Sequence, residues 1–390
     1  MTGSSAPRDG RLRVGVAGLG AVAQAVHLPL LARLPEAFEI SALCDLSPAL
    51  RTAIGDRYAV PPDRRVGSVA ELLELPGLDG LLLLTSGSHG ADALAALERG
   101  LPVLCEKPLA FTAAEADLLA ASPHADRLLL GYMKTFDPAV VEARRVVADP
   151  ASGLGELRAI EVAVLHPTSA SQLAFAHLLP PPSDVDPAAI AAIRPRTGDL
   201  VRLAIGTDDH ALGELYAGIL LSSVVHELSV IRAVVGDVTA IDHVESWGGS
   251  PGEPGSVVLL GRAAGEARLS LGWHFLPGYP AYREDVRFHF VGGSVELAFP
   301  APYRLHEPTI LTISTGLNET RRRVVFDSIE EAFERELLAF RELALEGGRP
   351  STGIADGRTD ILTCQRAIAR LAAQRGIAIG GEAAARAMDA

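Results

Sequence analysis

The stretch LRVGVAGLGAVAQAVHLPLLARL, Leu12 to Leu34, decides the fold. Leu12 to Ala17 is a short apolar run of strand length. Gly18-Leu19-Gly20-Ala21-Val22-Ala23 then forms a GxGxxA turn, and Ala21 to Leu34 has helical composition interrupted by Pro29. In a strand–turn–helix of this kind the first glycine permits the tight turn, and the second lets the backbone come close to a pyrophosphate. The small Ala23 lets helix and strand pack closely, and the helix N-terminus faces the phosphates. Gly-rich turns of this sort also occur without ligands, so the neighbouring sequence carries the decision.

Outward from this turn, Phe38 to Cys44 reads as a second strand ending in Asp45. A carboxylate there can accept hydrogen bonds from the adenosine ribose and would repel a 2′-phosphate, which favours NAD over NADP. The same residue could serve as a cap for the helix opening near Ser47-Pro48, and the two roles are compatible. The alternation continues with a helix at Val69 to Leu75, a strand at Gly80 to Thr85 and a helix at His89 to Arg99. A strand at Pro102 to Cys105, a helix at Thr112 to Ala121 and a strand at Arg127 to Tyr132 follow. Such a succession predicts a doubly wound parallel sheet, an α/β Rossmann domain with its ligand at the carboxyl ends of the strands. The segments falling there are GLGAVA, Asp45, TSGSH (Thr85 to His89), CEKP (Cys105 to Pro108) and GYMKTFDPA (Gly131 to Ala139).

A chain of 390 residues has room for two domains with sizeable cores. Its net charge of −13 argues against a nucleic-acid partner, which needs a concentrated positive surface. The first ten residues are polar, are expected to be disordered, and lack the apolar core of a signal peptide. No apolar run is expected to reach the length of a membrane span, so no membrane partner is predicted. Cys44, Cys105 and Cys364 lie far apart, which suits a reducing cytoplasm and predicts no metal site.

With CEKPLA following a GxGxxA domain, the chain resembles the Gfo/Idh/MocA family of nicotinamide-dependent oxidoreductases. HLPLL (His27 to Leu31), ALAALERGLPVLCEKPLA (Ala93 to Ala110) and GYMKTFDPA carry the same resemblance. It implies hydride transfer between NAD(P) and a secondary alcohol or ketone of a sugar, cyclitol or related polyol. It also implies that the EKP lysine, here Lys107, lies between nicotinamide and substrate as a catalytic group. Pro108 fixes its own φ and biases Lys107 away from helical backbone, and a desolvated ammonium can hydrogen-bond the reacting oxygen and share its proton. Cofactor contacts are then expected from Gly18, Leu19, Gly20, Val22, Ala23, Asp45, Thr85, Ser86, His89, Glu106, Lys107 and Pro108.

The domain boundaries read as a disordered 1–10, a Rossmann domain over 11–136 and a substrate-binding and oligomerisation domain over 137–390. The last is expected to be α+β, with a large open, mostly antiparallel sheet and final helices able to pack back on the first domain. A helix is predicted from about Pro138 to Val147 and a strand from Leu157 to Leu165. Pro167 to His210 is Pro-rich yet too apolar for disorder, and is read as a partly helical lid or oligomer contact. A long helix, about Ala211 to Val235, ends at Gly236. Strands follow at 239–246, 256–262, 267–274, 284–291, 294–299, 309–314 and 322–326, some joined by turns at Gly248-Gly249 and Gly292-Gly293. Ser328 with Glu331 reads as a capping box for a core helix bearing Phe333, Leu337, Phe340 and Ala344. Relatives often use the second sheet for assembly, which implies a homodimer or homotetramer.

The long helix holds LLSSVVHELSVIRAVVG, Leu220 to Gly236, with Ser222, His226 and Ser229 at spacings of four and three. A satisfied core histidine is one reading. By the resemblance, His226 stands at a catalytic histidine, while Ser222 and Ser229 replace positions that are commonly Asp. Loss of those anions leaves His226 more often neutral, still able to accept a hydroxyl proton. Glu227 cannot substitute directly, since one residue along a helix turns the side chain by ~100°. Tyr132, Lys134, His166 and Ser222 are the expected substrate contacts. Two other classes stay open: a non-redox glycosidase or lyase using tightly bound NAD transiently, and a non-catalytic NAD-binding protein.

Overall fold

The structure is a computed structural model that describes residues 10–250, 253–317 and 319–386. Most of the N-terminal segment expected to be disordered therefore lies outside the described residues. The first sheet contains β1 (Leu12–Ala17), β2 (Phe38–Cys44), β3 (Arg65–Val66), β4 (Gly80–Leu83), β5 (Val103–Glu106) and β6 (Leu128–Gly131). Their order is β3-β2-β1-β4-β5-β6 and every pairing is parallel. β4, β5 and β6 are buried along their whole length, as continuous aliphatic runs should be when helices cover both faces. The strand order reverses between β1 and β4, which makes the carboxyl ends of these two strands the switch point.

Three of the helices between these strands open on side-chain caps. Ser47 accepts from Leu50 N–H at the start of Pro48–Arg57, and Ser68 caps Val69–Glu74. Thr112 and Glu115 form a reciprocal capping box at Ala113–Ala120. The two-residue β3 is too short for any periodic signal and was not anticipated. After the glycine turn the backbone takes π geometry over Ala23–His27 and then α geometry over Leu28–Arg33, so Pro29 falls in the first turn of a helix instead of breaking one.

The second sheet contains β7 (Leu157–His166), β8 (Val238–Ser250), β9 (Glu253–Ala263), β10 (Arg268–Phe275), β11 (Arg283–Phe290), β12 (Gly293–Phe299), β13 (Ile310–Leu317) and β14 (Thr320–Phe326). It runs β14-β13-β12-β11-β7-β10-β9-β8, and only the β7–β10 pairing is parallel. Burial alternates along β11, as it must where one face is covered and the other open. The long helix is His210–Gly213 in α geometry, Glu214–Val224 in π geometry and Val225–Val235 in α geometry again. It stops at Gly236, whose φ of +102° an L side chain rarely adopts.

Three local expectations are corrected. His210–Val235 is long and apolar enough to cross a membrane by length and composition, contrary to the expectation from apolar runs, but 61% of the window is buried inside the protein, as in a core helix. Ser328 and Glu331 do not cap a helix from 329 onward, because the helix begins at Ala332. Instead Ser328 accepts from Glu330 N–H and the Glu331 carboxylate from His306 N–H. Gly248 and Gly249 lie within β8, where their positive φ values bend the strand.

By contacts the chain divides into two units, each discontinuous in sequence. The first comprises residues 1–131, 173–200 and 333–359, and the second 132–172, 201–332 and 360–390. Much of the Pro-rich segment, including most of helix Pro187–Ile205, thus belongs with the first sheet. So does helix Ala332–Glu346, whose Phe333, Leu337 and Phe340 are buried.

Candidate cofactor and substrate sites

In the first unit the glycine turn shows why each glycine is there. Gly18 has φ +92°, and a Cβ on it would lie 2.7 Å from the backbone carbonyl of Leu84, where β1 and β4 end side by side. A Cβ on Gly20 would meet nothing within 4 Å. Gly18 is therefore required by the fold, whereas Gly20 leaves open space, which is what close approach by a dinucleotide needs. Leu19 and Ala23 are fully buried, which holds the turn against the sheet. Asp45 stands at the end of β2 beside it: its Oδ2 accepts from Leu19 N–H at 2.9 Å and its Oδ1 from Ser47 N–H at 2.8 Å. Each oxygen keeps a lone pair for a ribose hydroxyl. The ribose-acceptor role expected of Asp45 is compatible with this geometry, whereas the cap of the following helix is Ser47 and not Asp45.

Further along the same edge, His89 is fully buried and ties two loops together. Its Nε2 lies 2.7 Å from the Thr85 carbonyl and its Nδ1 2.6 Å from the Pro108 carbonyl. Ser86 is exposed in the intervening loop. Glu106 ends β5 with its carboxylate turned inward, Oε1 3.1 Å from His27 Nε2 and Oε2 accepting from Lys107 N–H at 3.2 Å. Burial alone would raise the Glu106 carboxyl, but His27, Lys107 and His89 hold it below its ordinary value. Lys107 is half-buried and is joined to Pro108 by a cis peptide bond. A strand end, an anchored carboxylate and a half-buried lysine thus share the edge that carries Gly18, Gly20, Asp45 and Thr85.

In the second unit the expected substrate contacts separate. Tyr132 is fully buried and its hydroxyl donates to Asp360 Oδ2 at 2.5 Å; Arg232 also pairs with Asp360. Burial, reinforced by the Asp360 charge, pushes the phenol pKa well up. Lys134 is buried as well, with Nζ donating to Glu227 at 3.0 Å and to both oxygens of Glu284 at 2.6 Å. Burial disfavours its charge, but these two carboxylates outweigh that and raise its pKa. Both side chains are therefore engaged by the interior of the unit, and neither geometry offers a group to substrate. GYMK carried no signal for this, because the acidic partners come from distant positions.

His226 remains half-buried, edge-on to Tyr132 with ring centroids 6.5 Å apart. The hydroxyl of Ser222 donates back to the Gly218 carbonyl, and that of Ser229 to the His226 carbonyl at 2.7 Å. Back-bonding of this kind satisfies hydroxyls within a helix. Ser222 lies in the π segment and His226 in the α segment that follows it. His166 is half-buried at the end of β7, with Nδ1 2.7 Å from the Pro167 carbonyl and its ring against Trp273 and Tyr282. Burial lowers its pKa, which favours neutral imidazole. Gln172 Nε2 approaches both ring nitrogens at 3.4 Å.

Several functional candidates escaped sequence reasoning. Glu284 and Tyr282 complete the Lys134 cluster, with the Tyr282 hydroxyl donating to Glu284 Oε2 at 2.5 Å. Asp184, from the Pro-rich segment, binds the start of helix Pro48–Arg57. A cavity of about 580 Å³ opens beside Arg13, Phe38, Ser41 and Arg64, away from the glycine turn and Lys107, and it gathers no catalytic set. Among the described residues no cluster suited to a metal ion occurs.

Residues 12–129 match the model of an oxidoreductase family described by its NAD-binding Rossmann fold. Inositol 2-dehydrogenase 2 of Paenarthrobacter aurescens is 34% identical over 152 residues, which is 36% of this chain and 44% of the relative. The chain spans about two fifths of the length of the curated relatives it matches. Among solved structures, levoglucosan dehydrogenase in complex with NADH superposes with a TM-score of 0.70 at 17% identity, covering 93% of this chain and 98% of the other. Aldose-aldose oxidoreductase from Caulobacter crescentus, complexed with glycerol, gives 0.69 at 20% identity, covering 95% and 99%. At such identities the structural likeness establishes the fold. With the glycine turn, Asp45 and Glu106-Lys107-Pro108 in place, residues 12–129 form a domain similar to the NAD-binding Rossmann domain of the Gfo/Idh/MocA oxidoreductases.

Proposed function

We propose that the protein is an NAD-dependent oxidoreductase that exchanges hydride with a secondary alcohol or ketone of a polyol, a cyclitol or sugar. The observation that carries this reading is the shared edge of the first sheet. It sets open space over Gly20, a carboxylate at Asp45 and a half-buried Lys107 just beyond the carboxyl ends of β1, β2 and β5. The bound dinucleotide supplies the hydride acceptor or donor. Asp45 favours its unphosphorylated form, since a carboxylate accepts from a ribose hydroxyl and repels a phosphate. Lys107 binds the reacting oxygen through Nζ and takes its proton as the alcohol is oxidised, returning it in reduction. Glu106, fixed by His27, orients the backbone N–H of Lys107.

In the second unit the half-buried His166, Ser222 and His226 suit hydrogen bonding to polyol hydroxyls. Inositol dehydrogenases recur among the relatives, which favours a ring polyol as substrate. The three buried free cysteines suit a cytoplasmic location. Trp247, Leu260 and Val325, exposed on strands of the second sheet, suit a homo-oligomer that size-exclusion chromatography with light scattering would detect. The decisive assay follows reduction of NAD over a panel of inositols and sugars. Lys107→Ala is expected to lower turnover by at least about 100-fold with NADH binding retained. Turnover at the wild-type rate in that variant removes Lys107 from the chemistry.

A further inference from the structure

We propose that Asp184 is a second acidic selector, one that closes the adenosine end of the dinucleotide site to a 2′-phosphate; this rests on the dinucleotide reading above. Asp184 is far from the Rossmann motifs in sequence, in the Pro-rich run before helix Pro187–Ile205, yet it belongs to the same unit. Its Oδ1 accepts from the Ser47 hydroxyl at 2.6 Å and its Oδ2 from Ala49 N–H at 2.7 Å. These groups open the helix after β2. Ser47 N–H is held by Asp45, Leu50 N–H by Ser47 Oγ, and Pro48 has no N–H. The donors that a helix start offers to an anion are thus filled from within the chain.

A second tether lies at the other end of the same run. Leu179 N–H donates to Gln24 Oε1 at 3.0 Å, and Gln24 Nε2 donates to the Leu19 carbonyl at 2.8 Å. Residues 179–184 therefore pass from the glycine turn to the end of β2, the two loops that meet pyrophosphate and ribose in this fold. Arg51 is the nearby cation, its guanidinium donating to the Asp45 carbonyl at 2.5 Å. An arginine in this neighbourhood can accommodate a 2′-phosphate. Here Asp45 and Asp184 both bear on Ser47, so a phosphate at that place meets two carboxylates and finds Ala49 N–H already bonded. The Ser47 and Ala49 hydrogen bonds, with Arg51, hold the Asp184 carboxyl below its ordinary value and so keep it ionised.

The test titrates the full chain with NADH and NADPH by nicotinamide fluorescence, without substrate, for wild type, Asp184→Ala and Asp184→Asn. Wild type is expected to prefer NADH. Asp184→Ala should narrow that preference about tenfold or more, chiefly by tightening NADPH, while NADH affinity stays within about threefold. Asp184→Asn keeps an acceptor for Ser47 but loses the charge, and should fall between the two. Unchanged NADH-to-NADPH ratios in both variants, or equal weakening of both dinucleotides, overturn the role of Asp184 and leave the dinucleotide reading standing. A wild type that prefers NADPH overturns the selector, and one that binds neither dinucleotide overturns both.

Discussion

Replacing Glu227 by Gln should stabilise the second unit at alkaline pH, although Glu227 is one arm of an ion-paired cluster. Glu227 and Glu284 share a single ammonium, Lys134, inside the protein. Burial is the leading cause that lifts the Glu227 carboxyl; Glu284 adds to it, and Lys134 opposes it without cancelling it. The net result is a pKa raised from 4.5 to about 7. A carboxyl whose folded pKa is raised binds its proton more tightly in the folded state. Its contribution is fully present below 4.5 and is lost as the pH rises through about 7. At 1.36 kcal/mol for each tenfold change in proton affinity, this rise amounts to on the order of 3 kcal/mol. Gln has the shape of the protonated acid and does not titrate. Wild type and Glu227→Gln should therefore match near pH 4.5 and diverge by about 3 kcal/mol at about pH 8.5, the variant being the more stable. Urea denaturation read by tryptophan fluorescence reports on the right unit, because Trp247 and Trp273, the two tryptophans, both lie in it. A difference between the two proteins that stays flat across this pH range, or a variant less stable at the alkaline end, would refute the reasoning.

Two glycines of one turn should respond differently to the same change. Gly18→Ala places a Cβ against the Leu84 carbonyl at positive φ and should cost about 2 kcal/mol or more in thermal or urea unfolding. Gly20→Ala meets no protein atom, so stability should hold within about 0.5 kcal/mol while NADH affinity falls about tenfold; equal behaviour of the two variants contradicts the assignment of open space to the ligand. Tyr132→Phe leaves Asp360 short of one donor and should cost roughly 1–3 kcal/mol of stability. Polyol KM should not move in that variant, and the reverse pattern would return Tyr132 to the substrate site.

The first sheet was legible because its information is local. Five of its strands are short aliphatic runs, three of its helices open on Ser or Thr, and the glycine turn states its own geometry. The strands of the second sheet could be read from alternation, but the parallel pairing of β7 with β10 could not, since more than a hundred residues separate them. The candidate site divides along the same line. Gly18, Gly20, Asp45 and Lys107 stand where strand-end logic puts them. Lys134 and Tyr132 also sit at a strand end, yet their side chains answer to Glu284 and Asp360, partners 150 and 228 positions away. The π geometry of Glu214–Val224 likewise leaves no trace in composition. Asp184 was hidden inside a segment that reads only as Pro-rich.

The division of the chain into two discontinuous units bears on how such a protein can be cut and recombined. The polypeptide passes from one unit to the other five times, at 131/132, 172/173, 200/201, 332/333 and 359/360. A fragment ending at Gly131 would hold all six strands of the parallel sheet but would lack Asp184 and the Phe333, Leu337 and Phe340 face that covers it. A graft made at one junction, exchanging everything before it or everything after it, would separate at least one unit from part of its own interior. Substrate preference in this architecture is therefore altered more readily by side-chain replacement within the second unit than by swapping a contiguous half of the chain.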